Sequence, residues 1–155
     1  MKEDNMLRRL MIFSGLVAVS ACATPHAQLY IVFEKGTEID PQAVVNVFED
    51  AGLVCQLGTE QKPIYLCSPA ETVFPSFGFN ASDDPFQIQM SAETVYFPGF
   101  QQPEFSRDFL SRLEPILNEL HTLGAQKLKL FPFRKDIERP IVYELEGLSI
   151  DQLNP

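Results

Sequence analysis

With 155 residues the chain is sized for a single folded domain. Its 21 acidic against 12 basic side chains leave a formal charge of −9. So acidic a chain is not expected to bind nucleic acid, or to lean on anionic lipid, unless it hides a basic patch.

The first residues do not read as part of a fold. Met6-Leu7-Arg8-Arg9 is a positive stretch, and Leu10 to Val19 is an apolar run of ten residues interrupted by Ser14 and Gly15. A permanent membrane span needs about 20 apolar residues, so this run suits a secretory signal. Val19-Ser20-Ala21-Cys22 follows, and it resembles the lipobox of bacterial lipoproteins: an aliphatic residue, two small residues, then cysteine. The resemblance implies a signal peptide over 1–21 that is cut before Cys22. It also implies a diacylglycerol thioether on Cys22 and usually a fatty acid, palmitate, on its amine. Two or more such chains anchor a protein stably, because each buried CH₂ contributes roughly 0.8 kcal/mol. Ala23 stands where an aspartate often retains such proteins at the inner membrane. By the same resemblance this favours the outer membrane of the cell envelope, facing the periplasm. Glu3 and Asp4 are unusual in an n-region, so Met1 and Met6 both stay open as the start. Cleavage would remove Lys2, Arg8 and Arg9 together with Glu3 and Asp4, which takes the formal charge of residues 22–155 to −10.

Cys22 to Gln28, with Pro25, reads as a short tether, and 29–155 as one α+β domain. Leu29-Tyr30-Ile31-Val32-Phe33 is apolar throughout and predicts a central strand. Asp40 predicts a helix N-cap with Pro41 at the first helical position. Val44, Val47, Phe48 and Ala51 then form an apolar stripe, and Gly52 is placed to end the helix.

Val54-Cys55-Gln56-Leu57 and Ile64-Tyr65-Leu66-Cys67 predict two strands joined by a turn-rich link. A hairpin centred on Gln61 sets Cys55 opposite Cys67. With Cys22 assigned to lipid, these two remain in a compartment that oxidises thiols, and a disulfide between them is expected. Closing so short a loop contributes roughly 3 kcal/mol in the chain-entropy model. The only histidines, His26 and His121, are too few and badly placed for a metal site, and no cofactor is expected.

From Ser68 to Gln102 the chain turns rich in phenylalanine and proline. Strands are expected at Phe86 to Met90 and Glu93 to Phe97, with long loops around them. Long ordered loops are often functional. Two readings stay open for Phe77, Phe79, Phe97 and Phe100: a partner-binding surface on these loops, or the core of a domain that has no tryptophan. Apolar residues at helical spacing then predict a helix from Ser106 to Leu123 ending at Gly124, which Pro115 should kink or split. Lys127 to Phe133 and Ile141 to Glu146 predict two strands across the charged link Arg134 to Arg139. The order β-α-β-β thus occurs twice. It predicts a two-layer sandwich with an antiparallel or mixed sheet and two helices on one face. A ferredoxin-like arrangement is the leading picture.

The sequence spells out no reaction. It has no nucleophile elbow and no phosphate-binding Gly-rich loop. Asp83-Asp84 and Glu144/Glu146 are carboxylate pairs, which read as solvated turn and strand-edge acids. The expected function is therefore non-catalytic. It is a lipid-anchored envelope protein that binds a protein partner, as an adaptor in assembly or by neutralising a toxin. A basic partner would suit its charge. The alternative is cell-wall binding. Glu93 to Phe133 is similar in element order to part of the OmpA-like peptidoglycan-binding domain, and the first β-α-β-β to the opening of a SPOR domain. Both are similarities of order without motif.

Overall fold

The computed structural model describes residues 26–58, 64–72, 75–94, 104–131 and 139–154. Its elements are β1 (His26–Phe33), α1 (Pro41–Asp50), β2 (Val54–Leu57), β3 (Ile64–Ser68), β4 (Ser76–Asn80), β5 (Gln87–Glu93), α2 (Arg107–Thr122), β6 (Ala125–Phe131) and β7 (Ile141–Glu144), followed by a 3-10 turn at Ile150–Leu153. The strands form one seven-stranded sheet in the order β2-β3-β4-β5-β1-β6-β7. Every neighbouring pair is antiparallel. The α+β class is as expected, and both β-α-β-β runs are present. The sheet is larger than that of a ferredoxin-like fold.

Strand alternation builds the core. One row of facing residues, Cys55, Cys67, Phe77, Met90, Leu29, Leu130 and Ile141, crosses all seven strands. A second row, Leu57, Tyr65, Phe79, Ile88, Ile31, Leu128 and Tyr143, runs beside it. Both rows lie on the face that the helices cover, and their central members are fully buried. The opposite face carries Gln28, Gln87 and Gln89 among others, all exposed.

Local chemistry sets the helix ends. The Asp40 carboxylate accepts from the Gln42 amide at 3.0 Å, and the Ser106 hydroxyl accepts from the Phe109 amide at 3.2 Å. Gly52 (φ 83°) and Gly124 (φ 105°) adopt the left-handed backbone that releases the chain after each helix. α1 buries Val44, Val45 and Phe48. Ala51, expected in the stripe, is exposed at the C-cap, and Val45, outside that stripe, is buried. α2 buries Leu110, Leu113, Ile116, Leu117 and Leu120.

Three expectations need correction. Residues 26–28 belong to β1 and not to a tether, because they pair with β5 and Ala27 is fully buried. β5 covers the strand expected at Phe86 to Met90 and runs on to Glu93; residues 95–97 of the strand expected at Glu93 to Phe97 lie outside the described ones. Pro115 does not split α2. Proline deprives the carbonyl four residues back, on Ser111, of its donor, but both residues face solvent, where water can serve that oxygen. Finally, Ser76–Asn80, expected within the long loops, forms the strand β4. Its Gly78 sits on the open face beneath Leu66, where a Cβ would lie 3.3 Å from that side chain's Cδ2.

Candidate functional site

The hairpin β2–β3 holds the site that the sequence indicates most directly. Cys55 pairs with Cys67, and their sulfurs are bonded, with 4.0 Å between the Cα atoms. The register explains the bridge. The Gly58 amide donates to the Ile64 carbonyl at 2.6 Å, which makes that a hydrogen-bonded pair. Alternation along the ladder then makes 55/67 a close, non-hydrogen-bonded pair. Cys67 is fully buried beside Phe77, so the bridge ties the sheet's outer strand to the core.

Phe77 and Phe79 do not stand on exposed loops. Both lie on β4 facing the helices and are 1% and 3% exposed. Phe77 packs on Phe48 at 4.6 Å between ring centroids, and Phe79 stacks on Tyr65 at 4.9 Å. The core reading therefore holds for these two, and they cannot serve as exposed anchors. Phe97, Phe100 and Cys22 lie outside the described residues.

An apolar cleft lies above Phe77. The C-terminal end of α1, the β3–β4 connection and the first half of α2 converge there. Leu53, Pro69, Pro75, Phe77, Phe109, Leu113 and Ile116 line a cavity of about 70 Å³, with Arg112 at its edge. A wider hollow of about 260 Å³ adjoins it, bordered by Thr72, Glu93, Ser106 and Asp108 and sharing Pro69, Pro75, Phe109 and Arg112. Arg112 pairs with Asp108 at 3.1 Å on the solvent side of α2. The result is an apolar floor with a charged rim. Prolines in the phenylalanine-rich stretch hinted at this region. Nothing in the sequence distinguished Arg112, because only the helix's placement brings it to the cleft.

Of the remaining polar candidates, Asp84, Glu144 and His121 have structural partners. Asp84 accepts from the Gly36 amide at 3.1 Å, and Glu144 pairs with Lys127 at 3.3 Å. His121 Nδ1 donates to the Ala125 carbonyl at 2.8 Å, joining the end of α2 to β6. Among the described residues no cluster of His, Cys, Asp and Glu could hold a metal ion. No described helix is long and apolar enough to cross a membrane. Comparison with protein-family models, with curated proteins and with solved structures found no match.

Proposed function

We propose that the chain is a lipoprotein of the bacterial cell envelope, anchored through Cys22 to the outer membrane and facing the periplasm. Its folded domain is non-catalytic and binds a protein partner, as an adaptor or by neutralising a toxin. The observation that carries this reading is the open cleft floored by Phe77 and Phe109 and rimmed by Arg112 and Asp108. Such a hollow can take an apolar side chain while its rim excludes water and selects orientation. The Cys55–Cys67 bridge fits an oxidising compartment. We also read the centre of the sheet as an enlarged ferredoxin-like arrangement. The strand order β5-β1-β6 with a helical crossover supports that, β3 and β4 being inserted and β7 added.

A photo-reactive residue at Pro69 or Arg112, activated in intact cells, tests the partner reading. One dominant attached protein would support it and name the partner. Peptidoglycan fragments without a consistent protein would replace it with cell-wall binding.

A further inference from the structure

We propose that the protein self-associates, two copies joining their sheets edge to edge through antiparallel β2 strands with Gln56 on the two-fold axis. This inference is independent of the cleft and of the lipid anchor.

The hydrogen-bond alternation that brings the cysteines together also sets the outer edge. Because Gly58 bonds to Ile64, residues 54, 56 and 58 turn their amides and carbonyls toward β3. The N–H and C=O groups of Cys55 and Leu57 therefore point outward. β2 ends the sheet, and no described strand lies beyond it. An antiparallel copy with Cys55 opposite Leu57, and Leu57 opposite Cys55, satisfies these groups reciprocally in four hydrogen bonds. That register keeps each residue type on its own face. The helices of both copies stay on one side of a continuous sheet.

Side chains agree with this register. Leu57, 57% exposed, meets the disulfide edge of the other copy. Val54, 48% exposed, lies opposite Gly58 of the other copy, which has no side chain to oppose it. Among the described residues, four of the six exposed large hydrophobic ones, Val54, Leu57, Ile64 and Leu66, lie on this hairpin.

Charge selects the same edge. The described residues 53–58 and 64–70 carry no charged side chain, in a chain of net charge −9. Among the described residues, the paired β2 strands therefore bring no like charges together. The other edge, β7, carries Glu144 paired with Lys127, the kind of charge that discourages strand addition. The disulfide holds the hairpin in shape before any contact, so little ordering is lost on association. Two short strands make a small contact, and association is concentration-dependent.

Sedimentation of the whole protein over a wide concentration range tests the proposal, together with Gln56→Lys and Gln56→Glu. Gln56 is exposed, and circular dichroism checks that each variant folds. The wild type should dimerise, and either variant alone should lose at least about tenfold in affinity through like charges on the axis. An equimolar mixture of the two should recover the dimer, because lysine then faces glutamate. A wild type that stays monomeric throughout, a dimer insensitive to position 56, or a mixture that fails to recover would each overturn the proposal. So would cross-links from the β2 edge that lead in cells to a different protein, which would give this edge to a foreign strand.

Discussion

The side-chain amide of Asn154 closes on the backbone of Phe105 from both sides. Its Oδ1 accepts from the Phe105 amide at 2.8 Å, and its Nδ2 donates to the Phe105 carbonyl. Phe105 is 2% exposed, and its neighbour in this contact, Leu153, is fully buried. The C-terminal turn is thus fastened to the entrance of α2. Asn154→Ala would strand two backbone groups, and an expected loss of about 1–3 kcal/mol follows. Chemical denaturation would show it; an unchanged midpoint would mean that water replaces the amide at no cost.

The Cys55–Cys67 bridge should stabilise the fold by restricting the unfolded chain. Cys55→Ala with Cys67→Ala is expected to cost about 3 kcal/mol. Reductant should destabilise the wild type by a similar amount and leave the double variant unaffected. Two free thiols in the native protein under non-reducing conditions would refute the bridge.

Burial separates the phenylalanines from the exposed apolar residues. Phe77→Ala removes a ring packed on Phe48 beside the disulfide and is expected to cost about 3–5 kcal/mol. Leu66→Ala, on the open face, should stay within about 0.5 kcal/mol of the wild type. Similar losses from the two changes would contradict the assignment of the two faces.

Burial pushes the Tyr143 phenol up from its ordinary value of 10.0. The neutral phenol is therefore favoured in the folded state. Its contribution is fully present below about pH 10 and is lost as pH rises through the folded value. Tyr143→Phe should flatten that alkaline decline in a pH series of thermal midpoints. An identical decline in both proteins would assign it elsewhere.

The lipid anchor has a direct test. Cys22→Ala is expected to move the protein from the membrane to the soluble fraction. Retention of the variant on membranes would sink the anchor and leave the folded domain's description intact.

Local signals made much of this fold legible. Asp40 with Pro41 and Ser106 marked helix starts, because capping depends on neighbours within one turn. Gly52 and Gly124 marked the stops. The pairing of Cys55 with Cys67 followed from hairpin parity, which is counted along the chain. β4 is not legible in the sequence because its glycine serves a packing need, room for Leu66 on the adjacent strand, and not a turn. Phe77 and Phe79 were ambiguous for the same reason. A phenylalanine in a proline-rich stretch looks alike whether it faces solvent or a helix that arrives from another part of the chain. Only tertiary structure decided which strands lie at the sheet's edges, that α2 closes a cleft over Phe77, and that β2 is left with outward-facing amides. These properties depend on contacts between segments far apart in sequence, whose free energy comes from shared burial and cannot be read from either segment alone.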